Sequence, residues 1–154
     1  MLSSSLSLLP AGIINGLMFG AIYALVALGL TLIYGVLHII NFAHGAMLML
    51  ALYSAYFLFN ILNIDPYVAI LIVTPASFIF GYVIYRWGIG KLSGGKDQNI
   101  LLITLGLSII LENAALFFFT GDQQTISLSY SYDSLDLGFL YLSYPKLISF
   151  IASL

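Results

Sequence analysis

Charge is what this sequence has least of. Of its 154 residues 6% are charged, and no carboxylate or base other than histidine appears before Asp65. A soluble domain carries about one quarter charged residues, because water-seeking groups must cover its surface. This chain has four Lys and Arg and six Asp and Glu to use. Hydrocarbon is therefore the expected solvent, in keeping with 62% hydrophobic residues and a mean hydropathy of +1.10. Cysteine is absent, which excludes disulfides and thiolate metal sites and leaves the redox compartment unread. The formal charge of −2 is small, and without a basic stripe no nucleic-acid partner is expected. Nor does a metal or cofactor motif appear: His-Glu-x-x-His spacing, for one, is missing. Met1 to Leu9 lacks the basic start of a secretory signal, and the apolar run after it is too long for one. The first segment reads as a retained helix.

What is present is a series of long apolar runs. Crossing a bilayer takes about 20 apolar residues as helix, and helix is required because lipid offers backbone groups no partner. Ala11 to Tyr34 supplies a first span, with Asn15 its only strongly polar member. Phe42 to Leu62, Tyr67 to Trp87 and Ile100 to Thr120 supply three more, and Leu142 to Leu154 opens a fifth. The expected fold is all-α: a polytopic transmembrane bundle of four complete spans and the start of another. Arg86, Lys91 and Lys96, three of the four bases, fall between the third and fourth spans in Arg86 to Gln98. The positive-inside rule places that connection in the cytoplasm. The amino terminus, the Asn63-Ile64-Asp65-Pro66 turn and Gly121 to Tyr141 are then external, Pro66 starting the third span. Within the last of these, Thr125 to Tyr132 alternates polar and apolar residues like a strand. Asp133 to Asp136 reads as a turn and Leu137 to Leu142 as the return strand of a small hairpin. Such a hairpin either lies as a lid over the helix ends or offers a docking surface.

Four features invite a functional reading. Gly12, Gly16, Gly20 and Ala24 place small residues at every fourth position of the first span, a stripe that lets another helix approach closely, within this subunit or from a second one. Gly35 to Gly45, between the first two spans, is too apolar for a hydrated loop yet holds Asn41, His44 and two glycines. It reads as a broken stretch lining a polar cavity, or as a tight turn in which Asn41 caps the next helix. Glu112 and Asn113 lie inside the fourth span. A charged carboxylate is costly there and faces protein or water, as a wall of a pathway or in an interhelical hydrogen bond. No nucleophile, base and orienting partner share a motif, so a transporter is expected rather than an enzyme. A proton-coupled carrier or channel using Glu112 is the alternative class.

Two stretches carry a resemblance. Gly20-Ala21-Ile22-Tyr23-Ala24-Leu25-Val26-Ala27-Leu28-Gly29-Leu30-Thr31, running into Tyr34-Gly35-Val36-Leu37 and Ile40-Asn41-Phe42-Ala43-His44-Gly45, is one. Thr104-Leu105-Gly106-Leu107-Ser108-Ile109-Ile110-Leu111-Glu112-Asn113 is the other. Together they resemble the permease subunit of branched-chain amino-acid ABC importers. The resemblance implies a plasma-membrane permease served by an external substrate-binding protein, paired with a second homologous permease and driven by two cytoplasmic ATPases. It implies branched-chain amino acids as cargo, with related permeases carrying urea or short amides. It makes Asn41, His44 and Gly45 candidates for the translocation pathway or for structuring it. Members are roughly twice this length, so residues 1–154 are expected to be the amino-terminal part of one permease domain, with the segment that docks the ATPase lying in the other half.

Overall fold

The computed structural model describes residues 2–92, 97–122, 124–126, 134–136 and 141–153. Helix dominates, as the lipid argument requires: α1 (Leu2–Leu37), α2 (His44–Leu62), α3 (Pro66–Val83), a π-helical turn (Ile84–Ile89), α4 (Gly90–Leu92), α5 (Asp97–Phe119) and α6 (Tyr144–Ser153). Four stretches are long and apolar enough to cross a membrane: Gly12–Val36, His44–Leu62, Pro66–Ile89 and Asp97–Phe119. They coincide with the four expected spans to within a few residues. In the first three only 6% of the most apolar window is buried within the chain, so their large side chains are left for lipid or for other helices. The protein is a multi-pass membrane protein.

Helix ends follow local chemistry. Asp65 caps α3, its carboxylate accepting from the Tyr67 N–H at 2.9 Å, with Pro66 in the first turn, where a missing N–H costs nothing. Asn63 ends α2 in the left-handed region at φ 51°. The Ile64 N–H reaches back to the Leu58 carbonyl at 3.2 Å, so the last carbonyls are satisfied before the chain turns.

Two units make up the chain, Leu32–Ile126 and Met1–Thr31 with Ser127–Leu154. In the first of these, α2 packs against α3 and α5, and the π-helical turn packs against α5. Buried residues here are small (Ala43, Ala46, Ala69, Ala115), apart from a cluster of Ile39, Ile89 and Ile100 and the polar pair Thr104 and Ser108. Near the other end of α5, Phe119 stacks on Tyr53 at 4.6 Å, and the Tyr56 hydroxyl donates to the Gln124 side chain at 2.6 Å. In the second unit Met18 of α1 is buried against Leu147 and Phe150 of α6. There Lys146, the fourth base, lies within 3.4 Å of the Asn15 side-chain oxygen and over the Phe19 ring.

Three expectations need correction. The basic connection is more helical than expected. Residues through Leu92 continue as helix and α5 starts at Asp97, leaving 93–96 outside the described residues. A π-helical turn lies within this continuation: the Gly90 N–H closes on the Tyr85 carbonyl, and a Cβ at Gly90 would stand 3.1 Å from that oxygen. The hairpin exists but is displaced. β1 (Ser134–Asp136) pairs antiparallel with β2 (Tyr141–Ser143), Leu135 opposite Leu142, so the expected turn at Asp133 to Asp136 is largely a strand. Gln124 to Ile126 is irregular, and the rest of the expected first strand lies outside the described residues. Alternation reports a half-buried surface and leaves the ladder's register open. Finally, α1 begins at Leu2 and carries Pro10 inside it, ten residues ahead of the membrane-length stretch.

Candidate functional site

The segment between α1 and α2 is the most worked piece of backbone in the larger unit. His38, at φ 54°, turns the chain out of α1, its N–H still bonded to the Tyr34 carbonyl at 2.8 Å. Ile39 then drops into the cluster with Ile89 and Ile100, which anchors the segment by burial. The Asn41 side-chain oxygen accepts from the Ala43 N–H at 3.0 Å, and the Asn41 carbonyl accepts from the His44 N–H at 3.2 Å. This is an Asx turn leading into α2. The formal N-cap of the helix is Ala43, without a side-chain cap bond, so Asn41 shapes the approach to the helix rather than capping it. The Phe42 N–H donates to the Thr104 hydroxyl of α5 at 3.3 Å.

Asn41 is half-buried and lines a cleft of about 490 Å³ together with Ile33, Met47, Ser77, Tyr82 and Tyr85. Its walls are apolar, with an amide, a hydroxyl and two phenol-bearing residues among them. That is the usual make-up of a small-molecule site, in which few polar groups orient a ligand and apolar ones enclose it. His44, half-buried, opens α2, and Gly45 beside it is exposed, with nothing within 4 Å of where a Cβ would stand.

Glu112 and Asn113 do not pair with each other. The Ser108 hydroxyl donates to Glu112 at 2.7 Å, and the Asn113 amide donates to the Ile109 carbonyl at 2.7 Å. Both are exposed on α5, and neither lines the cleft beside Asn41. The sequence-derived candidates thus fall into two groups, one at the turn and one along α5.

Thr104 and Ser108 were not among the candidates. They are the buried polar residues of the described chain, Thr104 with no exposed surface at all. Their signal was available: Thr104, Ser108 and Glu112 recur at every fourth position of an otherwise apolar helix, which places them on one face. The small-residue stripe is of the opposite kind. Gly12, Gly16, Gly20 and Ala24 are all exposed, and a methyl group added at any of the three glycines would have nothing within 4 Å.

Residues 12–154 match the family described as branched-chain amino acid transport system / permease component. The chain is 30% identical over 156 residues to the high-affinity branched-chain amino acid transport system permease protein BraD of Pseudomonas aeruginosa, covering 92% of this chain and 50% of that protein. It is 32% identical over 107 residues to the permease protein LivH of the corresponding systems in Salmonella typhimurium and Escherichia coli K12, covering 64% of this chain and 35% of theirs. It spans about half the length of the first relative. No solved structure matches it.

Proposed function

The chain belongs to the family of branched-chain amino acid transport system permease components, and from that membership we propose that it forms half of the translocation pathway of an ATP-driven importer in the plasma membrane. Branched-chain amino acids, or close relatives such as short amides, are its cargo. An external binding protein delivers them, a second homologous permease completes the pathway, and two cytoplasmic ATPases hydrolyse the ATP. Catalysis therefore lies outside this chain. The proposed orientation puts the amino terminus outside and Arg86 to Gln98 inside, which brings the Asn41 turn to the cytoplasmic side, where the ATPases would act.

One observation supports this reading beyond family membership. Asn41 sits half-buried on irregular backbone and lines an apolar cleft. Irregular backbone at membrane depth is tolerated only where protein buries it or a cavity faces it. A cargo with an aliphatic side chain suits such walls, and Asn41 offers both a donor and an acceptor to its polar end. His44, Gly45, Glu112 and Asn113 are assigned to the pathway or its shaping on the same reading.

Uptake of labelled leucine into proteoliposomes tests it, with the complete permease, its partners and the binding protein reconstituted. Uptake should require ATP on the ATPase side, be competed by valine and isoleucine, and survive collapse of the proton gradient. Uptake that follows the proton gradient, ignores ATP and vanishes in Glu112→Gln would replace the importer with a proton-coupled carrier.

A further inference from the structure

We propose that Thr104 is a positioning residue for transport: its hydroxyl pins the Asn41 turn to α5 and so fixes the polar group that lines the cleft. This rests on the reading of the Asn41 turn as part of the pathway. The Thr104 oxygen accepts the Phe42 N–H at 3.3 Å and donates its own hydrogen to the Leu101 carbonyl at 3.1 Å. Accepting and donating at once, it hands a backbone hydrogen bond from the turn to the helix. The bond joins segments 62 residues apart, and Phe42 adjoins Asn41, so moving one moves the other. Thr104 itself has no exposed surface. Losing the bond would remove a directional tie between the turn and α5.

On its two sides the turn is held by different forces. Ile39 is held by burial against Ile89 and Ile100, which is strong but not directional. The Asn41 side chain bonds Ala43, within the turn itself, and so sets its shape but not its place. The Phe42–Thr104 bond ties the turn to another helix, and hydrogen bonds have direction. Burial brings the segment to the helix, and the hydroxyl sets its register.

Two substitutions separate this role from simple packing. Thr104→Val keeps the shape and removes the hydroxyl; Thr104→Ser keeps the hydroxyl and removes a buried methyl. If packing were the whole role, serine would be the harmful change. Positioning predicts the reverse. Residues 1–154 hold no cysteine, which allows a readout independent of transport: with any cysteine elsewhere in the assembly replaced, Ala43→Cys, next to Phe42 at a position with no exposed surface, would be the sole thiol and would react only when the turn opens. In the assembled transporter in membranes, Thr104→Val should speed maleimide labelling of that thiol by about five-fold, the factor expected for one hydrogen bond, while Thr104→Ser leaves it unchanged. Without the reporter cysteine, Thr104→Val should lower the maximal uptake rate by a similar factor at unchanged complex yield, and Thr104→Ser should restore it. Equal labelling of all three chains overturns the pin. Faster labelling with normal uptake overturns its role in transport, and with it the pathway reading of Asn41, while leaving family membership and ATP dependence untouched.

Discussion

Two stripes run along two helices of this chain with the same four-residue period and opposite fates. On α5 the stripe is polar, Thr104, Ser108 and Glu112, and its members are bonded within the chain. On α1 it is small, Gly12, Gly16, Gly20 and Ala24, and a Cβ at the glycines would meet nothing within 4 Å. The period alone names a face. What the face does depends on what its residues require. A hydroxyl in an apolar setting must find a hydrogen-bond partner, and a helix supplies one in its own carbonyls or in whatever turn packs beside it. A glycine requires nothing, and it offers only the room for another backbone to come close.

This contrast can be broken by substitution. The largest effect is expected at the α1 stripe. Gly16→Leu in the complete permease should abolish most co-purification with the partner subunits, because a bulky side chain stands where close approach is needed; normal recovery of the complex would show that this face meets lipid. Next comes the turn. Asn41→Ala should cut uptake by about ten-fold, as loss of one well-placed polar group does, with the ATPases still bound; unchanged uptake would make the segment a connector and nothing more. A smaller effect is expected at Gly90. Gly90→Ala pushes a methyl group to 3.1 Å from the Tyr85 carbonyl and should destabilise the π-helical turn by about 1 kcal/mol, seen as a lower melting temperature of the detergent-solubilised complex. The smallest is at the far end of α5. Tyr56→Phe removes the hydroxyl that reaches exposed Gln124 and should change stability by no more than about 0.5 kcal/mol.

The spans were legible because length and apolarity are sufficient evidence in lipid: no soluble use exists for four such runs with two acidic residues, Asp97 and Glu112, among them. Pro66 likewise announced the start of α3, whereas the Asp65 cap emerged only from the structure. The π-helical turn was not legible, since Ile84 to Ile89 carries no residue that distinguishes it from α-helix, and only the Gly90 approach betrays it afterwards. The hairpin was legible in kind and not in place, because alternation marks a half-buried surface without fixing which residues pair. At the site, Asn41 was found because a polar residue in an apolar connection is conspicuous. Thr104 passed unread: a threonine inside a helix usually bonds its own backbone, and nothing in the sequence says that a turn 62 residues away shares its oxygen.

Everything assigned to the turn depends on which side of the membrane it faces, and that can be measured directly with single cysteines in this cysteine-free chain. One thiol would be placed between Leu92 and Asp97 and another, in a separate chain, as Leu62→Cys. With a membrane-impermeant maleimide, intact cells stripped of the outer barrier should label only the second and inside-out vesicles only the first. Labelling of the Leu92–Asp97 connection from outside would invert every span, place the Asn41 turn away from the ATPases, and contradict the account.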